Sequence, residues 1–138
     1  MGGLPVPGGT FALAYVHSMY GAASAELFTV EGRRFTMRAV VSTSGGVIDY
    51  YQLDGRRSRT PDGLWTLRLA TPVGYDALDL IASPVGRRTL MAGGRCLALY
   101  PPSGSRELRL TVGTAPPGTP PAVPCPQGYR DLTRSAAG

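Results

Sequence analysis

In the stretch Phe11-Ala12-Leu13-Ala14-Tyr15-Val16-His17-Ser18, bulky and small side chains alternate, as they do on a strand with one buried face. Phe11, Leu13, Tyr15 and His17 share that face, and Ala12, Ala14, Val16 and Ser18 share the other. The next apolar stretch, Glu26-Leu27-Phe28-Thr29-Val30, alternates in the same way, with Glu26, Phe28 and Val30 together. An antiparallel register that sets Leu13 by Val30 and Tyr15 by Phe28 also sets His17 by Glu26. On this reading residues 18–25 form a loop over the strand ends. The chain has a single histidine, so the expected His17–Glu26 pair is the first candidate site.

Outward from this hairpin the same rhythm continues. Phe35 to Val41 alternates, meets the turn residues Ser42 to Gly46, and resumes at Val47 to Gln52, which predicts a second hairpin with Val41 opposite Ile48 and Ala39 opposite Tyr50. Its core face would carry Phe35, Met37, Ala39, Val41, Ile48 and Tyr50. Arg56 to Gly63 reads as a polar loop. Leu64 to Leu69 reads as a strand with Trp65, Leu67 and Leu69 on one side, and Ala77 to Ala82, Arg88 to Met91, Cys96 to Tyr100 and Glu107 to Val112 read as further short strands. The expected fold is all-β: a single-domain antiparallel β-sandwich or irregular barrel of about eight short strands.

A chain of 138 residues is one domain's worth. At this length folding buries roughly two-thirds of the surface exposed by the unfolded chain, so a core forms without covalent staples. The 19 Gly and 13 Pro punctuate short apolar runs, which favours many turns and few helices. The expected organisation is a flexible segment over residues 1–9, a β domain over 10–113 and an extended Pro-rich tail over 114–138.

The net charge of +5 comes from fourteen arginines, no lysine and nine acids. These arginines are scattered, and the three Gly-Arg-Arg triplets at residues 32–34, 55–57 and 86–88 each sit by a turn at unequal spacing. A nucleic-acid binder gathers its basic residues on one face with aromatics among them, so no nucleic-acid partner is expected. Attraction of a small organic anion stays open. No run reaches the roughly 18 apolar residues of a membrane-spanning helix, and residues 1–9 lack the basic start and apolar run of a signal peptide.

Cys96 and Cys125 lack the spacing of a metal site. Cys96 opens an apolar run and reads equally as a buried thiol or as one half of a bridge. Cys125 lies in the Pro-rich tail with little apolar material to bury it, and a disulfide between the two would tie the tail to the body, given an oxidising compartment.

The pattern Phe11-x-Leu13-x-Tyr15-x-His17-Ser18-x-Tyr20, followed by Glu26-x-Phe28, Tyr50-Tyr51 and Thr89-Leu90-x-x-Gly93-Gly94, resembles an uncharacterised family of small bacterial extracytoplasmic proteins encoded beside TRAP transporters of the TAXI type. The resemblance runs to about Val112 and leaves out the tail. It implies a place outside the cytoplasm, after removal of an export segment, and TRAP transporter components as partners. It implies no activity and no cofactor.

A carboxylate beside an imidazole orients the ring and favours its charged form, which suits ligand binding or acid–base work. Tyr20, Tyr50 and Tyr51, with Ser18, come from segments expected to neighbour His17 and Glu26, and tyrosines offer apolar walls with polar tips. The expected function is a non-enzymatic binding or accessory protein of solute transport, with a small-molecule or partner site at His17, Ser18, Tyr20, Glu26, Tyr50 and Tyr51. Two alternatives stand beside it: a small hydrolase with His17 as general base, and a purely structural His17–Glu26 bridge. Ser18 adjoins His17 and so points to the opposite face of a regular strand, no Gly-x-Ser-x-Gly elbow is present, and a third metal ligand is missing, so neither a triad nor bound metal is expected.

Overall fold

A computed structural model describes residues 3–114 and 122–134. It is an all-β fold, with an eight-stranded antiparallel sheet and a separate two-stranded sheet. The large sheet is built around the meander β1 (Thr10–Val16), β2 (Ala23–Glu31) and β3 (Arg34–Ser42). Next come the helix α1 (Gly45–Tyr51), β4 (Gly55–Arg59) and β5 (Trp65–Tyr75), and β5 returns between β3 and β4. Strand β6 (Leu78–Ala82) leaves to pair with β9 (Arg106–Leu110). The hairpin β7 (Thr89–Ala92) and β8 (Arg95–Ala98) joins the other side of β1, and the short β10 (Val123–Pro124) lies beyond β8. Gly93 and Gly94 connect β7 to β8 with positive φ at both, as a tight two-residue hairpin turn requires.

Each face of the large sheet has its own core. On one, Phe11, Leu13, Phe28, Phe35, Met37, Val40, Leu67, Leu69 and Leu90 pack with Ile48 of α1 and Leu80 of β6. Phe11 stacks on Phe28 at 4.8 Å between ring centroids, and Phe28 meets Phe35 edge-on at 5.6 Å, arrangements favoured by the ring quadrupoles. On the other face, Ala12, Ala14, Ala25, Val41 and Met91 pack with Leu132 of a C-terminal helix, α2 (Gln127–Arg134). These short alanine side chains let the helix approach the sheet closely.

Several expectations are corrected. The β1–β2 register sets Leu13 against Glu26, Tyr15 against Ser24 and Phe11 against Phe28. Glu26 therefore lies four residues along β1 from the position expected of it, on the face expected of it. Ladder bonding continues past β1, since the His17 N–H donates to the Ala22 carbonyl at 2.9 Å. Only residues 18–21 remain as the turn, and the small residues Ala22 to Ala25, read as loop, are strand or its continuation.

Val47 to Gln52 is not a strand of a second hairpin. The Ser44 side chain accepts the Gly46 N–H and caps a helix whose Val47 and Ile48 turn inward, while Gln52 ends it in the left-handed region. Tyr50 is exposed and off the core. Strand β3 shifts register between Met37 and Ala39 against β2, leaving Arg38 as the extra residue of a bulge. Because of this shift Val40 joins the α1 side while Ala39 and Val41 face the other way. The polar loop expected from Arg56 contains edge strand β4, paired to β5 from Gly55↔Leu69 to Arg59↔Trp65.

The segment read as an extended tail carries β10 and α2, and Cys125 is disulfide-bonded to Cys96. Residues 115–121 and 135–138 of that segment lie outside the described residues, as do residues 1–2 of the N-terminal one. Leu4 and Val6 of the latter pack against the first core.

Candidate functional site

Ser24 and Ser42, paired across β2 and β3, are fully buried and share a hydrogen bond of 2.9 Å. The Ser42 Oγ also accepts the Ser44 N–H at 3.1 Å, which fixes the entry into α1. That entry brings α1 across the sheet so that Tyr51 reaches Glu26, and its phenol donates to the Glu26 Oε2 at 2.6 Å. The Tyr15 hydroxyl bonds the same Tyr51 oxygen. A phenol has one proton, so with that of Tyr51 given to the carboxylate, the Tyr15 hydroxyl is the donor to Tyr51.

Burial pushes the Tyr15 phenol up to about 12, with the negative charge of Glu26 adding to the effect. Tyr51 is pushed well above the usual phenol range by the same burial, then by Glu26 and Tyr15. Tyr75, raised first by burial and then by Glu26, shares this surrounding. The three tyrosines stay protonated through the physiological range. Glu26 thus has a structural task, holding α1 onto β1 and β2 through two phenols.

His17 belongs to a different group. It lies just past the end of β1, 8% exposed, with its ring edge-on to Tyr50 at 4.8 Å and tilted against Tyr20 at 5.3 Å. Its Nδ1 accepts the Met19 N–H at 3.2 Å, which occupies the lone pair that a general base at that nitrogen would use. The Tyr20 ring in turn lies over the α1 backbone, because a Cβ on Gly46 would stand 2.6 Å from its Cε1 atom. Around the buried imidazole, Met19 is 68%, Tyr50 61% and Tyr20 48% exposed. Ser18 is exposed in the same turn.

The six residues expected at one site are therefore divided in two. Tyr51 and Glu26 form an inner hydrogen-bonded set, and His17, Tyr20 and Tyr50 an outer aromatic patch with Met19 and Ser18 in its turn. The expected His17–Glu26 pair is not formed, since Glu26 faces Leu13 and bonds Tyr51. Among the described residues no group of three or more His, Cys, Asp or Glu is placed to hold a metal ion. No helix among them is long and apolar enough to cross a membrane.

Sequence reasoning missed a second concavity. On the α2 side of the sheet, a cleft of about 530 Å³ is bordered by Arg38, Arg68 and Arg130. Alternation from Leu67 and Leu69 already sends Arg68 to that face, and alternation from Phe35 and Met37 sends Arg38 there, but Ala39 arrives through the bulge and Arg130 through a helix that the Pro-rich segment hides. Comparison with family models, with curated proteins and with solved structures finds no match.

Proposed function

We propose that this protein is a non-enzymatic accessory component of extracytoplasmic solute transport of the TRAP type, and that it meets its partner through the aromatic patch at the β1–β2 turn. The carrying observation is that Tyr20 and Tyr50, both largely exposed, rest on the buried His17 ring with Met19 beside them. Tyrosine and methionine are enriched in the centres of protein interfaces, where an aromatic ring held in place contributes contact area at little entropic cost. The imidazole serves as the post that holds both rings. The Cys96–Cys125 disulfide supports an oxidising compartment. The transport process itself is carried by the resemblance in Phe11 to Phe28, Tyr50-Tyr51 and Thr89 to Gly94.

The test is binding of the full chain to the substrate-binding and membrane subunits of a TAXI-type TRAP transporter, measured by calorimetry or pull-down. Tyr20→Ala with Tyr50→Ala is expected to weaken binding at least tenfold, on the scale of about 1.4 kcal/mol or more, while the urea midpoint stays within error. Unchanged binding by the double variant would remove the patch from the interface.

A further inference from the structure

The α2 face of the sheet carries a binding site that the aromatic patch does not account for. Tyr129 and Leu132 of α2 pack into the alanine-rich cluster of that face, and between the helix and the Thr10 end of β1 the cleft of about 530 Å³ stays open. This volume lies within the range of small-molecule pockets. Its floor is apolar and crosses four strands: Ala12 of β1, Leu27 of β2, Ala39 of β3 and Met91 of β7. The cationic border comes from three separate elements, namely the β3 bulge, β5 and α2.

The placement of Arg38 is built in. Its Nε donates to the Thr29 hydroxyl at 3.0 Å and its Nη2 to the Glu31 carboxylate at 3.1 Å, two of the five N–H donors a guanidinium carries. Arg68 faces Ala39 across the β3–β5 ladder, and Arg130 lies on the exposed side of α2, one helical residue from the Tyr129 anchor. No carboxylate is among the described residues that line the cleft. An apolar floor ringed by guanidinium groups suits a molecule with hydrocarbon to bury and one anionic end to pair, since a planar fork matches a carboxylate in two-point fashion.

We propose that this cleft binds a small organic carboxylate with an apolar body. A bare inorganic anion would leave the floor uncovered, and a neutral hydrocarbon would bring no charge to the cationic border. The cleft lies on the other face of the sheet, and at the other end of β1, from His17. Its test therefore stands apart from that of partner docking.

Titration calorimetry of the full disulfide-bonded chain with octanoate, acetate, 1-octanol and octyl phosphate separates the contributions. Octanoate is expected to bind at least tenfold more tightly than acetate or 1-octanol, and phenylacetate in place of octanoate tells whether a ring or an acyl chain fills the floor better. Arg130→Glu, at an exposed helix position, is expected to weaken octanoate at least tenfold with an unchanged melting temperature, and Arg38→Gln to weaken it severalfold. Equal affinity for octanoate, acetate and 1-octanol would overturn the proposal, as would octanoate affinity within twofold of wild type in Arg130→Glu. Octyl phosphate binding tenfold more tightly than octanoate would overturn the carboxylate as the recognised group.

Discussion

Glu26 shows how much one carboxylate organises when its partners are phenols. The Tyr51 hydroxyl donates to it at 2.6 Å and receives the Tyr15 hydroxyl in turn. Removing the middle member leaves a half-buried carboxylate and a phenol without their shared partner. Tyr51→Phe is expected to cost about 1–3 kcal/mol at neutral pH, read as a lower urea midpoint with unchanged slope, and a loss under a few tenths would show that solvent replaces the phenol freely. The pH dependence has a definite sign. Folding raises Tyr15 from 10.0 to about 12 and Tyr51 further still, so the folded state holds these protons more tightly than the unfolded one. The associated stability is complete below pH 10 and is lost as pH rises from about 10 through 12. Urea midpoints across that window are expected to fall for the wild type and to fall less for Tyr15→Phe with Tyr51→Phe. Equal slopes would contradict the assignment. The face shared by Tyr15 and Glu26 was legible from alternation, but their partner was not, because apolar matching fits a register and its four-residue slip equally well. What decides between them is the turn, and Ala22 to Ala25 are too small to declare themselves as strand.

At the scale of elements, the strands with clear alternation were readable and those governed by caps, bulges or edges were not. Trp65, Leu67 and Leu69 pack together as their spacing implies, and β7 and β8 flank Gly93-Gly94 as expected. Helix α1 hid because seven residues are too few to display a helical period, and Gly45-Gly46 after a serine reads as a turn as readily as a capped start. Strand β4 hid because every one of its side chains is exposed, so it has no apolar alternation to see. Its arginines guard a sheet edge: Arg57 pairs with Asp49 at 2.6 Å and Arg59 lies over the Trp65 ring at 5.0 Å. The close approach of β4 to β5 depends on Gly55, where a Cβ would stand 2.2 Å from the Arg68 carbonyl oxygen. Backbone has to move to admit it. Gly55→Ala is expected to cost about 1–3 kcal/mol and to raise hydrogen exchange in β4 with β1 and β2 unaffected; unchanged exchange in β4 would show that the edge absorbs the methyl group.

For the whole molecule, a central sheet has a separate apolar layer on each side, and the second layer is tied on covalently. The Cys96–Cys125 bridge spans 29 residues, and in the chain-entropy model a loop of that length contributes about 3–4 kcal/mol. Reduction is expected to lower the unfolding free energy by that order and to deprotect α2 in hydrogen exchange before β1, β2 and β3. Simultaneous loss of protection everywhere would mean that the two layers unfold as one. The sequence allowed the bridge but could not show what it fastens, since the alanines that receive α2 look like the plain outer side of a half-exposed sheet.

The extra residue in β3 carries a consequence for how this chain tolerates length changes. Arg38 is the one residue of its stretch of β3 without a place in the β2 ladder, because Phe28 pairs with Met37 and the adjacent Leu27 with Ala39, so that excising this position would leave both halves of the strand on the faces they already present. Val40 would stay beneath α1 with Ala39 and Val41 turned to the other layer, and the cleft would forfeit a guanidinium while its apolar bed survived.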